Sequence, residues 1–170
     1  MGLTNNYKEY RRVTSEYHPY IDQNEYRAAT AALKDTNGDL CNFLYYDFSR
    51  AGSYVLSNYC FNDNLSVKVG SGNTTESAED YELETILGSG SNLTRSYSLE
   101  NGKFRIRITF KYTNFSASDV IVSEIGLYKD IYYMAGTSIK PFLMARHVLD
   151  EPITVTVGSS ALFTFDIVEE

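Results

Sequence analysis

Between residues 104 and 112 the chain alternates strictly. Phe104, Ile106, Ile108, Phe110 and Tyr112 are separated by Arg105, Arg107, Thr109 and Lys111. A period of two marks a strand with one dry face and one wet face. Just upstream stands Asn101-Gly102, a dipeptide that tolerates the positive φ angles of a type I′ turn. Residues 93–112 are therefore predicted to form a hairpin. Further strand-like runs cover residues 52–61, 65–70, 120–128, 142–149, 153–157 and 161–168. Pro152 and VGSS (157–160) punctuate the last three. SGNTTESAED (71–80) and GSGSN (88–92) read as loops. About eight short strands at this spacing predict a mainly β chain, an antiparallel β-sandwich of immunoglobulin-like or jelly-roll type.

The first 52 residues follow a different pattern. NNYKEYRRVTSEY (5–17) has the look of a short helix. DQNEYRAATAALK (22–34) supports two readings. As a helix it has Asp22 as N-cap, Glu25 three residues on, and Tyr26, Ala29, Thr30 and Leu33 on one face. As a strand it pairs across Asn37-Gly38 with DLCNFLYY (39–46) in a hairpin. The sequence leaves both open. The expected division is an N-terminal arm over residues 1–52, short and in part helical, and a β-sandwich domain over 53–170.

One strand contains a charge where a core residue is expected. In VIVSEIGLYK (120–129), Glu124 shares parity with Val120, Val122 and Tyr128. Along 142–149, Arg146 shares parity with Phe142, Met144 and Val148. Two lone charges of opposite sign on apolar faces are predicted to meet as a structural ion pair, Glu124 with Arg146, between neighbouring strands. The competing reading is a catalytic Glu124 with Asp119 or Asp130 as its acidic partner. Gly126 keeps the same face open for a bulge or a close-packed ring.

Composition narrows the function classes. At 170 residues with 43% hydrophobic and 22% charged residues, the chain can bury a real core. The net charge of −7 repels phosphate backbones, so no nucleic-acid partner is expected. No apolar run of membrane-spanning length occurs, and no membrane partner is expected. MGLTNNYKEYRR lacks the apolar region of a signal peptide, so Cys41 and Cys60 are expected to be reduced thiols without a zinc site. There are 15 Tyr and no Trp. Tyr suits interface cores and sugar stacking alike.

Most recognisable chemistry is missing. DTNGD (35–39) opens like a calcium loop, but Leu40 stands at the position that needs Gly and Tyr46 at the one that needs Glu. It reads as a turn. His18 and His147 sit in no catalytic motif, and YELE (81–84) reads as a solvated acidic face. The sequons at Asn64, Asn73, Asn92 and Asn114 carry no meaning without secretion. No cofactor and no metal are expected.

VGSG (69–72), DYELE (80–84), SEIGLY (123–128) and FLMARHVLDEPITVTVGSSALFTFDI (142–167), in this order and spacing, resemble a β-sandwich domain that recurs in structural proteins of tailed bacteriophages. The resemblance covers about residues 65–168 and leaves 1–60 outside. It implies a non-enzymatic virion component, either a head decoration or auxiliary protein or a tail or fibre-attachment protein. Its partners would be other capsid or tail proteins, with several copies per particle. The protein would be made in the host cytoplasm and located in the virion. The alternative is a carbohydrate-binding module at a tail tip. The Tyr-rich, locally basic N-terminal segment is the candidate interface: Tyr7, Tyr10, Arg11, Arg12, Tyr17, Tyr20 and Tyr26.

Overall fold

A computed structural model describes residues 2–16, 29–45, 64–133 and 138–169. The elements run β1 (Gly2–Leu3), α1 (Asn5–Glu16), β2 (Ala29–Lys34), β3 (Leu40–Tyr45), β4 (Leu65–Gly70), β5 (Ile86–Ser89), β6 (Ser91–Glu100), β7 (Lys103–Thr113), β8 (Val120–Tyr133), β9 (Ser138–Val155) and β10 (Ser160–Glu169). The chain is mainly β, and all strand pairs are antiparallel. One sheet has the order β1-β9-β8-β4-β5, a second the order β10-β7-β6, and among the described residues β2 pairs only with β3.

One apolar cluster joins both larger sheets. It takes Val67 and Val69 from β4, Ile125 and Leu127 from β8, Ile106, Ile108 and Phe110 from β7, and Phe163, Phe165 and Ile167 from β10. The alternation along β7 is the cause: its apolar positions from Ile106 to Tyr112 are buried while its Arg, Thr and Lys positions face outward. The predicted hairpin spans β6 and β7, closed by Asn101 and Gly102 at φ 53° and 75°.

The expected loop over 88–92 is strand on both sides of a single residue. Gly90 carries the chain from β5 in one sheet to β6 in the other. A Cβ there would run into Phe110 and Val67, so only glycine lets the crossing stay this short. Pro152 does not end a strand either. β9 continues through it, because residues 149–152 bulge out of the ladder between the pairs Val148–Glu124 and Ile153–Val122. A bulge is where a strand tolerates proline.

At the N-terminus, Thr4 caps α1: its Oγ1 accepts the Tyr7 N–H at 3.4 Å and donates to the Leu143 carbonyl at 2.6 Å. Asn6 holds the helix down: its amide donates to the Lys34 carbonyl at 2.8 Å and accepts the Lys34 N–H at 2.7 Å. Residues 29–34 are strand, so the helical reading of 22–34 fails there and the Asn37-Gly38 hairpin stands. Gly38 has φ 84°, and Asp35 Oδ1 accepts the N–H groups of Asn37 and Asp39. That local bonding fixes the turn. The predicted strand at 52–61 and the boundary between residues 52 and 53 lie outside the described residues.

Candidate functional site

Glu124 lies on β8 and Arg146 on β9, and the structure brings them together. Arg146 Nε donates to Glu124 Oε2 at 2.8 Å, with the two side chains 2% and 0% exposed. The face on which they meet is not the expected one. Val122, Ile125 and Leu127 all join the main cluster, which strict alternation would forbid. The β8–β9 ladder shifts between Val122 and Glu124, and again between Leu127 and Tyr128. These irregularities turn Glu124 and Tyr128 away from Val122, and Arg146 away from Phe142 and Met144. A second, smaller apolar cluster of Leu83, Tyr128 and Leu143 forms on that side.

The loop between β4 and β5 covers this second face, and the pair is its anchor. Glu124 Oε1 accepts the N–H groups of Gly72 at 3.0 Å and Thr85 at 3.2 Å, one near each end of the loop. Arg146 Nη1 donates to Asp80 Oδ2 at 2.9 Å, and Nη2 lies 3.5 Å from Glu84 Oε1. Glu84 in turn accepts the N–H groups of Asn73 and Thr74 at 3.1 and 3.2 Å. Burial opposes the charge on Arg146, but its bonds to Asp80 and Glu124 outweigh it and raise its pKa further. Taking two charges out of water is tolerable only when their remaining hydrogen-bonding capacity is used. Here both Glu124 oxygens are used: Arg146 donates to Oε2 and the loop backbone to Oε1.

Glycines make the room. A Cβ on Gly70 or on Gly72 would sit 2.5 Å from Glu124 Oε1. A Cβ on Gly126 would come 2.8 Å from the Tyr128 ring and 2.9 Å from Leu83. The open face read from Gly126 is thus filled by a ring and a leucine. The Tyr128 hydroxyl donates to Glu82 and accepts the Leu83 N–H at 3.3 Å. Burial and the Glu82 carboxylate push the Tyr128 hydroxyl far above its usual titration range. Lys68 lies 4.3 Å over the ring and 3.4 Å from Glu82 Oε2.

The acidic stretch at 80–84 is therefore only in part a solvated face: Tyr81 and Glu84 stay exposed, Asp80 and Glu82 are half-buried and Leu83 is buried. Asp80, Glu82 and Glu84 are each bonded to an inward-turned partner. No signal in the sequence marks them, because an acidic stretch reads the same whether it faces water or a buried guanidinium. His147 pairs with Glu76 at 2.7 Å, and Glu76 also accepts the Val148 N–H at 2.9 Å. Burial pushes the Glu76 carboxyl up, but these bonds bring it below its ordinary value.

A second polar cluster ties the β2–β3 hairpin to β9. Lys140 Nζ lies 2.6 Å from Asp35 Oδ2 and 3.4 Å from Cys41 Sγ. Burial raises the Asp35 carboxyl, yet Lys140 and the turn N–H groups hold it below the usual range. Cys41 is a buried free thiol, and Cys60 lies outside the described residues.

The candidate interface changes character. Tyr7 and Tyr10 are buried, 6% and 0% exposed, in the main cluster with Ala31, Leu33 and Cys41. Their spacing puts both on the inner face of α1, so they serve this chain's own core rather than a partner. Arg12 is exposed and bonds Glu9 at 2.7 Å, and Arg11 is half-buried. Tyr17, Tyr20, Tyr26 and His18 lie outside the described residues. Asn114 is fully buried, its side chain bonded to Ser118, Val155 and Ser116, so that sequon is structural. Among the described residues no three His, Cys, Asp or Glu side chains are placed to hold a metal ion, and no helix is long and apolar enough to cross a membrane.

Compared with known proteins, the chain matches no family profile, no curated protein and no solved structure.

Proposed function

We propose that this chain is a non-enzymatic structural component of a tailed-phage virion, one that binds neighbouring capsid or tail proteins. On this reading its two larger sheets form a β-sandwich of the kind seen in such proteins. One observation carries it. The four stretches that resemble the phage domain are scattered over about 100 residues of sequence. In space they are a single unit. Gly70 and Gly72 fit around Glu124, Asp80 and Glu84 hold Arg146, and Leu83 and Tyr128 fill the slot at Gly126. Contact between residues of all four stretches supports the reading.

The same geometry argues against chemistry at Glu124. Its carboxylate is sealed from solvent and its oxygens are occupied, so no substrate reaches it. Asp119, a proposed acidic partner, caps the Val157 N–H at 2.9 Å instead. A sugar-binding reading draws on one feature, the exposed and mutually stacked rings of Tyr97 and Phe104, 5.8 Å apart. A glycan array tests it. The direct test of the virion reading is proteomics of purified particles. A fixed stoichiometry across gradient fractions supports it. A protein abundant in lysate and absent from particles overturns it.

A further inference from the structure

The chain has two Asn-Gly dipeptides, Asn37-Gly38 and Asn101-Gly102, and the virion reading makes use of neither. Both lie at hairpin turns, and both glycines take a positive φ, 84° and 75°. They differ in what holds them. The Gly38 N–H donates to the Asp35 carbonyl at 2.9 Å, and Asp35 Oδ1 accepts the Asn37 N–H at 3.0 Å. A Cβ on Gly38 would come 3.2 Å from the Tyr81 ring, so the β4–β5 loop lies over that turn. At the other turn, Asn101 and Gly102 are both exposed. A Cβ on Gly102 would meet nothing within 4 Å. Among the described residues, neither the Asn101 side chain nor the Gly102 N–H has a hydrogen-bond partner.

An asparagine side chain is an electrophile held next to the following backbone nitrogen. When the Gly102 nitrogen attacks the Asn101 amide carbon, an N–C bond forms and the bond to the amide nitrogen breaks. Ammonia leaves, taking up the proton that the Gly102 nitrogen gives up. Water then opens the cyclic imide at either carbonyl, which yields aspartate or isoaspartate. The sequence needs only water. Glycine favours it because no side chain crowds the attacking nitrogen. In the folded chain the peptide plane must first swing out of the turn, so the rate follows the ease of local opening. Opening costs little where few contacts hold the backbone. At Asn37 it must break the bonds to Asp35 and lift the turn from Tyr81.

We propose that Asn101 is a site of spontaneous covalent modification in the folded protein, ageing to aspartate and isoaspartate, while Asn37 is protected by its turn. Each product adds one negative charge at the tip of the β6–β7 hairpin. Isoaspartate also adds a methylene to the main chain. A two-residue turn fixes the register of its strands, so this product loosens the Glu100–Lys103 pair that closes the hairpin.

Peptide mapping by mass spectrometry tests it, on the full wild-type chain aged in neutral and in mildly alkaline buffer, folded and in denaturant. In the folded chain the Asn101 peptide is expected to convert to two products of equal mass, aspartyl and isoaspartyl. Conversion should speed up with pH, because the attacking nitrogen must lose its proton. The Asn37 peptide should convert about tenfold more slowly or less, the factor that about one retained hydrogen bond sets. In denaturant the two should convert at similar rates, which shows that the difference lies in the fold and not in the neighbouring sequence. An Asn101 that stays intact in the folded chain while converting in denaturant overturns the proposal. Equal rates at the two sites in the folded chain overturn the protection of Asn37. An aspartyl product without isoaspartate overturns the cyclic route.

Discussion

Glu124 and Arg146 meet at 2.8 Å on the side of β8–β9 that faces away from the main core. The pair makes a covered surface out of a loop. Without it, the Gly72 and Thr85 amides of the loop would lose their acceptor. The fold thus has two interiors, one apolar between the sheets and one polar beneath the loop.

The glycines of VGSG are the most sensitive neighbours of that polar interior. Gly70→Ala places a methyl 2.5 Å from Glu124 Oε1 and 2.6 Å from the Thr85 carbonyl. Backbone cannot yield cheaply, so a loss of about 1–3 kcal/mol is expected from denaturant unfolding. Gly102→Ala meets nothing within 4 Å but sits at φ 75°, and its cost should be that of backbone strain alone, about 1 kcal/mol.

Tyr128→Phe removes a hydroxyl that donates to Glu82 and accepts the Leu83 N–H. The ring still fills its slot. The expected loss is about 1–3 kcal/mol from the polar groups left unpaired. Hydrogen exchange should show a faster Leu83 amide in the variant, and an unchanged amide contradicts the assignment.

Acid should open the loop and the β2–β3 hairpin. Asp35 and Glu76 have folded pKa values below their unfolded ones. Their contribution is fully present above the unfolded carboxylate range, about pH 4, and is lost as pH falls through the folded values. Melting temperature is expected to fall in that window, and less steeply in Glu76→Gln. An equal slope in wild type and variant contradicts the role given to Glu76.

Asp130 has the opposite sign. Burial raises its pKa, against the pull of Ser66 and two lysines, so folding favours the protonated form. Its contribution is present below the unfolded pKa and lost as pH rises through the folded one. Asp130→Asn should therefore stabilise the chain at neutral pH, and a lower melting temperature there would count against it.

The sequence was most legible where a strand has one wet face. β6–β7 and its Asn101-Gly102 turn follow from alternation and a dipeptide because nothing overrides them. β8 and β9 are covered on both faces and carry bulges, and a period-two reading cannot place a bulge. The partnership of Glu124 with Arg146 was legible as two lone opposite charges, although the faces assigned to them were wrong. Asp80 and Glu84 were not, because an acidic stretch on a loop looks the same whether it meets water or a buried guanidinium. Tyr7 and Tyr10 looked like interface residues by type, and only the packing of α1 on β2 and β9 turns them inward.

The most direct test of the buried clasp is a double-mutant cycle on Glu124 and Arg146, read by unfolding free energy. Glu124→Gln and Arg146→Met each break a buried pair, and each should cost about 3–5 kcal/mol. The double variant should cost clearly less than their sum, with a coupling above about 0.5 kcal/mol. Strict additivity would contradict the account, since it would mean that the two charges stand 2.8 Å apart without holding each other.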